Sequence, residues 1–168
     1  KNVRSDCAIQ VHNVLYVLAR PDSIGASFLW DGNTFVTDSD GPKGSSILFF
    51  KGRLWIAPGA YSATYPANSQ LRFTDPIPLA GTVDPVWNAA NNIPVGQGDG
   101  QNLIDLAVAN DNLTLFKNNS TYVFMFDVSP NEGILRKINP VLGVSSQFCV
   151  VSHENELYAY HEGNVYQI

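Results

Sequence analysis

Charged side chains are scarce in this sequence. Asp, Glu, Lys and Arg make up 15 % of the 168 residues, whereas about 25 % is typical of soluble domains. Glu occurs four times and Met once, so two residue types that favour helices are nearly missing. Hydrophobic residues still make up 45 %, which excludes a disordered chain, because disorder requires low hydrophobicity and high net charge. The surface must therefore rely on uncharged polar groups, and the 16 Asn residues supply many of them.

Cysteines, basic clusters and long apolar runs are also few or missing. Two cysteines, Cys7 and Cys149, are too few for a disulfide framework; one bridge between them and two free, buried thiols both stay open. With a net charge of −5 and only short basic clusters, as at residues 51–53, a general nucleic-acid binder is not expected. No apolar run approaches the roughly 20 residues of a membrane helix, and no signal-peptide pattern opens the chain. Starting at Lys1 and stopping at Ile168 within an apolar–polar alternation, the chain has the pattern of a processed piece or of part of a longer protein.

Turn-forming and aromatic residues, in contrast, are plentiful, and they are arranged in repeats. The sequence has 13 Gly, 10 Pro and 11 % aromatic residues, a composition that favours strands joined by turns. Four segments share an apolar strand, a two-residue turn containing Asn, Asp or Gly, and a second strand with a Leu near its start. Those leucines are 39, 59 and 44 residues apart, in the range of a four-stranded propeller blade with loop insertions. The leucines are Leu15, Leu54, Leu113 and Leu157.

Further strand candidates follow each hairpin. Third strands are predicted at 28–30, 71–74, 121–126 and 164–168, and fourth strands at 34–36, 93–95 and 134–138. Pro94 has no N–H to donate and fits only an edge strand, which is the place of the outer strand of a blade. The sequence therefore predicts an all-β, β-propeller-like fold of about four consecutive blades of antiparallel strands, the last blade incomplete. It predicts a single domain over residues 1–168, with long insertions at about 59–70 and 75–92 and a helical turn at 87–91.

The incomplete fourth repeat leaves two arrangements open. In the first, residues 2–4 supply the missing strand and close a small ring, with Val3 paired beside Val165. In the second, the chain is part of a larger propeller.

No motif predicts catalysis, a cofactor or a metal site. The glycine-rich loop at 96–100 lacks the spacing and the following helix of a dinucleotide fingerprint, so it predicts a turn between blades. Residues 38–41 begin like a calcium loop but lack the third acidic ligand and the closing Glu, which favours a solvated turn. His12, His153 and His161 have no nucleophile and carboxylate at a recognisable spacing, and an enzyme is not expected.

Three aromatic side chains in the long insertions are candidates for a binding surface. Tyr61, Tyr65 and Trp87 lie in predicted loops, where binding residues are common. Packing of the insertion against a blade is the competing interpretation.

One longer stretch has a distinctive order of residues. Trp87 and Asn91 precede the run at 93–100, and Phe116, Lys117, Ser120 and Tyr122 follow it. Over about residues 71–126 this order resembles the repeat of the β-propeller in tail tubular (nozzle) proteins and related virion proteins of short-tailed bacteriophages.

The resemblance implies a structural virion protein located in the phage tail, nozzle or neck. It would act through assembly contacts with other virion subunits, as a homo-oligomer in a symmetric tail, and its loops would contact neighbours or the host surface. Phage DNA would be met only in passage through the exit path, which the negative net charge suits. A lectin-like, glycan- or protein-binding propeller that uses Trp55, Trp87 or the loop tyrosines for host-surface attachment is the alternative, and a hydrolase ranks third.

Overall fold

The computed structural model describes residues 7–20, 22, 25–59, 69–78 and 83–168. Within these ranges the chain forms four antiparallel sheets and one short 3₁₀ turn, Pro130–Glu132. This confirms the predicted all-β class. Tyr61, Tyr65 and residues 2–4 lie outside the described residues, so the proposed pairing of Val3 beside Val165 stays a prediction.

Each sheet is built from strands in chain order. Sheet 1 contains β1 (Cys7–Val11), β2 (Val14–Leu18), β3 (Ser27–Trp30) and β4 (Phe35–Asp38). Sheet 2 contains β5 (Ser46–Phe50), β6 (Arg53–Ala57), β7 (Gln70–Phe73) and β8 (Asn92–Pro94). Sheet 3 contains β9 (Leu103–Ala109), β10 (Asn112–Lys117), β11 (Thr121–Met125) and β12 (Ile134–Asn139). Sheet 4 contains β13 (Val150–His153), β14 (Glu156–His161) and β15 (Asn164–Gln167).

The first two strands of every sheet are joined by a two-residue turn, as the repeats predicted. In sheet 3 the turn residues Asn110 and Asp111 have φ of 49° and 57°, which matches the twist of the flanking strands. Glu154 occupies the equivalent place in sheet 4 with φ of 50°, although it lacks the short side chain that usually tolerates this conformation. Pro94 lies in β8, the edge strand of sheet 2, as expected from its missing N–H.

The predicted helical turn at 87–91 is wrong. Residues 88–91 form a β-turn instead, closed by a hydrogen bond of 2.9 Å from Asn91 N to Asn88 O. Asn88 Oδ1 accepts a hydrogen bond from Ala90 N, and Asn92 Nδ2 donates one to Ala89 O. Asn side chains compete with helical hydrogen bonds in this way, and here they outweigh the helix preference of the two alanines.

The repeated leucine shows how the sheets are stacked. Leu54 packs in the core between sheets 1 and 2, and Leu113 packs in the core between sheets 2 and 3. Leu157 packs in the core between sheets 3 and 4. The residue after the leucine points to the opposite face, so that Trp55 is in the core shared with sheet 3. Sheets 2 and 3 are therefore each covered on one face by the preceding sheet and on the other by the following sheet.

Backbone hydrogen bonds join each sheet to the next near the start of the new first strand. Gly44 N donates to Ala19 O (3.0 Å), Gly59 N to Leu103 O (2.8 Å) and Val144 N to Lys117 O (2.9 Å). The first strands of successive sheets are consequently neighbours: β1 contacts β5, β5 contacts β9 and β9 contacts β13. In the described part of the chain, no contact of comparable extent joins β13 to β1.

Leu113 offers a direct test of the stacked cores. We expect Leu113→Ala to lower the free energy of unfolding by about 3 kcal/mol, because it leaves a cavity between two sheets. Ile134→Ala, on an exposed side chain of the same sheet, should change it by less than about 0.5 kcal/mol. Urea unfolding measures both values, and equal losses for the two variants would contradict the stacking.

Candidate functional site

Lys117 at the end of β10 is the most unusual side chain of the structure, because its ammonium group is wholly buried. Nζ lies 2.6 Å from Asp99 Oδ1. It also donates to Val95 O (2.8 Å), Gly96 O (3.1 Å) and Ser69 Oγ (3.2 Å). A buried ammonium is tolerated only when its charge is paired and its protons are bonded. We call these five residues the lysine clamp.

The glycine-rich loop at 96–100 supplies two of the four acceptors of the clamp, Gly96 O and Asp99 Oδ1. Gly96, Gly98 and Gly100 have φ of 56°, 86° and 72°, a region that glycine occupies without strain. At Gly96 a Cβ atom would collide with the hydroxyl of Tyr122 and the carboxylate of Asp99. The loop therefore turns its carbonyls toward Lys117, and the glycines permit that path.

Asp99 remains ionised through its surroundings. Burial raises the pKa of Asp99, but hydrogen bonds from Lys117 and from the backbone of Gln101, with the charges of Lys117 and Lys137, outweigh it. The net effect is a pKa below the ordinary value of an aspartate. The carboxylate is thus held in its charged form as the counter-ion of the buried ammonium.

Gln101 extends the clamp to the turn between β10 and β11. Its Oε1 accepts hydrogen bonds from Asn119 N and Ser120 Oγ, both at 3.0 Å. The backbone carbonyl oxygen of Gln101 accepts a hydrogen bond from Ser69 Oγ at 2.8 Å. Part of the stretch that carries the resemblance, from Gly96 to Tyr122, therefore lies at the junction of sheets 2 and 3, whereas Trp87 of the same stretch packs against the core between sheets 1 and 2.

No prediction from the sequence places Lys117 in the core, although the alternation of residues along β10 indicates that it is buried. Leu113, Leu115 and Lys117 alternate along β10, and both leucines face the core between sheets 2 and 3. Strict alternation places Lys117 on that same buried face. A lysine there requires a counter-ion, and Asp99 is the carboxylate of the preceding loop.

Trp87 is engaged in a second polar cluster. Asp38 Oδ2 accepts hydrogen bonds from Tyr16 OH (2.7 Å) and Trp87 Nε1 (2.8 Å). Burial raises the pKa of Tyr16, and the nearby charge of Asp38 adds to the rise. The indole of Trp87 is half-buried against the core between sheets 1 and 2. This agrees with the interpretation in which the insertion packs against a neighbouring sheet. A role of Trp87, Tyr61 or Tyr65 in partner binding stays a prediction.

The calcium-like loop uses its carboxylates within the protein. Asp38 accepts the two donors just described, and Asp40 Oδ1 lies 3.4 Å from Ser39 Oγ. Within the described ranges, no group of three or more His, Cys, Asp or Glu side chains is placed to hold a metal ion. No disulfide joins Cys7 and Cys149, and both thiols are half-buried, so the open alternative of a bridge between them is not what the structure has.

The three histidines lie apart. His12 and His153 are exposed near hairpin turns of sheets 1 and 4. His161 is buried, and its Nδ1 has no hydrogen-bond partner among the described residues. It borders an open cleft of about 350 Å³ beside Asn118 and Ser145.

Asp105 connects three sheets through their first strands. It is buried in β9, and that burial raises its pKa above the usual value. Hydrogen bonds from Ser46 of β5, from the backbone of Leu106 and from the backbone of Phe148 oppose the rise. Asp105 therefore joins sheets 2 and 3 to the segment that enters sheet 4.

Comparison with known proteins adds no family assignment. No model of a known protein family matches the chain, and no curated protein matches it at a significant level. Among the residues that the structure describes, no helix has the length and apolar character needed to cross a bilayer. A functional proposal therefore rests on the residues of this chain and on the resemblance over about residues 71–126.

Two glycines of the glycine-rich loop allow a matched test of how crowding at the lysine clamp affects stability. Gly96→Ala should lower the free energy of unfolding by about 3 kcal/mol, because it combines an unfavourable φ with a collision against Tyr122. Gly98→Ala meets no atom within 4 Å, so only the backbone preference of about 1 kcal/mol should be lost. Denaturant unfolding compares the two, and a Gly98 variant as damaged as the Gly96 variant would show that crowding at the clamp is unimportant.

The ionisation of Asp99 makes the free energy of unfolding depend on pH. Its pKa is lowered on folding, so it contributes stability above its unfolded pKa of about 3.9, and the contribution is lost as pH falls through the lower folded value. Asp99→Asn leaves the buried ammonium without its counter-ion, and we expect a loss of about 2 kcal/mol at pH 7. The difference between wild type and variant should shrink as pH falls below the unfolded pKa and vanish once pH is below the lower folded pKa of Asp99.

Asp22→Asn is the control for this prediction. It removes the exposed ion pair with Arg20, which should contribute less than about 1 kcal/mol at any pH. Unfolding curves between pH 2.5 and 7 are expected to show a pH-dependent gap for Asp99→Asn alone. A gap for Asp99→Asn that is independent of pH would overturn the assigned ion pair.

Proposed function

We propose that the four sheets are consecutive blades of a β-propeller and that the protein is a structural component of a tailed-bacteriophage virion. Its place would be the tail, nozzle or neck, where it acts through assembly contacts with other virion subunits. One observation carries the proposal. Four of the five residues of the lysine clamp, Val95, Gly96, Asp99 and Lys117, belong to the stretch that resembles the phage repeat in sequence.

The chemistry of the clamp supports a mechanical role. Lys117 is saturated by four acceptors, and Ser69 and Gln101 bond to one another and to the neighbouring turn. These hydrogen-bonded side chains hold the two sheets in a fixed orientation, and none of them is placed as a nucleophile. A motif that serves rigidity is expected in a subunit that transmits force or keeps a channel in shape.

The distribution of cations supports passage of DNA rather than binding to it. Lys51 Nζ donates to Phe126 O at 2.8 Å and lies 3.0 Å from Asp111 Oδ2. Arg53 Nη1 donates to Thr74 O at 2.7 Å. Lys51, Arg53 and the buried Lys117 are engaged within the protein, and the net charge is −5, which disfavours the tight phosphate contacts that would slow a moving duplex.

The lectin-like alternative loses Trp55 as a glycan-binding residue. Trp55 is wholly buried, and its Nε1 donates to Phe50 O at 3.0 Å, so the expectation that it grips a glycan is wrong. Trp87 is half-buried and donates its N–H to Asp38. A sugar-stacking platform needs an open ring face, which the core denies to Trp55.

Immunogold electron microscopy tests the proposal. Antibodies against the whole chain would be applied to gradient-purified virions from the cells that carry its coding sequence. We expect several gold particles at the tail or neck of each virion and peptides of the chain in the virion proteome. An antibody against the major capsid protein is the control and should label the head. Finding the chain only in the cell lysate, never in particles, would overturn the virion role, and specific binding on a glycan array would then favour the lectin-like alternative.

A further inference from the structure

An open cleft of about 350 Å³ is bordered by the β10–β11 turn of sheet 3 and by the β14–β15 turn of sheet 4. Its lining residues are Asn118 and Asn119 in the first turn, residues 160–163 at the second, and Ser145. A cleft of this size is within the range of small-molecule sites, about 300–1,000 Å³. None of these side chains belongs to the lysine clamp, so a separate role is open to the cleft.

His161 places an unpartnered polar group in the wall of this cleft. The residue is only 8 % exposed, because it shares with Leu157 and Ala159 the face of β14 that packs against sheet 3. Nδ1 is buried without a hydrogen-bond partner, and Nε2 makes no hydrogen bond within the described part of the chain. Buried polar groups nearly always have a partner, so the imidazole indicates a polar group that is supplied from outside the chain.

The distance from His161 to Glu162 identifies what could fill this place. Glu162 Oε1 lies 4.0 Å from His161 Nε2, which is too far for a direct hydrogen bond. A single oxygen atom can lie about 2.8 Å from both of these atoms. A hydroxyl group suits that position, because it accepts the proton of Nε2–H and donates its own proton to the carboxylate. The nearby carboxylate favours the tautomer of neutral His161 that carries the proton on Nε2.

The β10–β11 turn adds amide groups that are already fixed in place. Asn118 Oδ1 accepts a hydrogen bond from Asn102 N at 2.8 Å, and the NH₂ group of the Asn118 side chain makes no hydrogen bond within the described residues. Asn119 N donates to Gln101 Oε1 at 3.0 Å, which connects this turn to the lysine clamp. Because the turn is held before any ligand arrives, binding to it costs less conformational entropy.

The lining residues determine the chemical class of the ligand. Among the described residues that border the cleft there is no Lys or Arg, so an anion would meet the carboxylate of Glu162 without a cationic partner. His161 and Glu162 are two residues of the metal-ligating types, fewer than the three protein ligands of a typical zinc site. Amides, a hydroxyl, an imidazole and a carboxylate together match a neutral molecule with several hydroxyl groups. A sugar ring carries such hydroxyls at fixed spacing.

We propose that this cleft binds a hexose, free or at the end of a glycan, with one sugar hydroxyl bridging His161 Nε2 and Glu162 Oε1. The amide groups of Asn118 and Asn119 bind further hydroxyls of the same ring. The site is separate from the aromatic residues of the lectin-like alternative, and it does not depend on the virion role.

Saturation-transfer NMR with the full chain tests for sugar binding. The probes are the methyl glycosides of glucose, galactose, mannose and N-acetylglucosamine at millimolar concentration, and a glycan array extends the test to longer saccharides. We expect at least one glycoside to bind with a Kd of about 1 mM, which is the affinity that a ligand of this size reaches through a few polar contacts. Absence of binding to every glycoside and to the array would overturn the proposal and leave ordered water as the occupant of the cleft.

Substitutions at the bridging pair locate the site. Glu162→Gln and His161→Phe should each weaken binding at least about 10-fold, because each removes one partner of the bridging hydroxyl. The Glu162 side chain is exposed, so its variant keeps the test valid if the His161 variant fails to fold, which circular dichroism would show. The controls are Glu154→Gln and His153→Phe: this pair has the same arrangement at 3.9 Å but is exposed and does not border the cleft. Both controls should bind as the wild type does.

The ¹⁵N resonances of the histidine rings provide a second readout of the contact. The glycoside that binds should shift the Nε2 resonance of His161 and leave those of His12 and His153 unchanged. Binding that persists in both cleft variants, or a shift at the exposed histidines alone, would overturn the assigned site. Gold label at the phage tail without sugar binding would leave the virion role standing, whereas sugar binding by a chain that is absent from particles would overturn the virion role alone.

Discussion

The buried ammonium of Lys117 is the interaction on which the middle of the structure depends. Its desolvation costs several kcal/mol, and that cost is offset only if an anion and several acceptors are fixed around it. This requirement explains features that are otherwise unconnected: three glycines with positive φ, a carboxylate with a lowered pKa and two carbonyls turned inward. Sheets 2 and 3 are thereby held in one relative orientation by directional bonds, in addition to their shared apolar core.

The two buried or half-buried carboxylates nearest this junction respond to burial in opposite ways. Asp99 has a cationic partner, and its pKa falls; Asp105 has only neutral donors, and its pKa rises. The comparison shows that burial alone does not determine ionisation, since the charge of the partner decides the sign. Asp105 is tolerated in β9 because its oxygens accept hydrogen bonds from Ser46 of sheet 2 and from the backbone of Leu106 and of Phe148, just before sheet 4, so its polar character connects these segments.

Much of the fold follows from local patterns, and the rest depends on contacts far apart in sequence. The four hairpins could be predicted because each has one or two turn residues with positive φ between alternating apolar residues. The β-turn at 88–91 could not, because it depends on which Asn side chain bonds to which backbone group. For the clamp, the sequence shows the glycine-rich loop followed by the Phe116–Lys117 pair. Asp99 and Lys117 are 18 positions apart in the chain, so the sequence does not show that they meet. Their pairing follows only from the stacking of sheets 2 and 3. The burial of Trp55 has the same origin.

The clamp is found at one junction, between sheets 2 and 3. The contact of sheet 1 with sheet 2 and that of sheet 4 with sheet 3 rely on apolar cores, a few backbone bonds and side-chain hydrogen bonds such as that from Trp87 to Asp38, without a buried ammonium. In a stack where each layer touches only its neighbours, cooperativity is set by the weakest junctions. Local opening should then begin at the outer layers and reach the centre last, with β9 and β10 as the kinetic core. Such a gradient would let the two end layers adjust their shape during assembly while the central pair stays rigid.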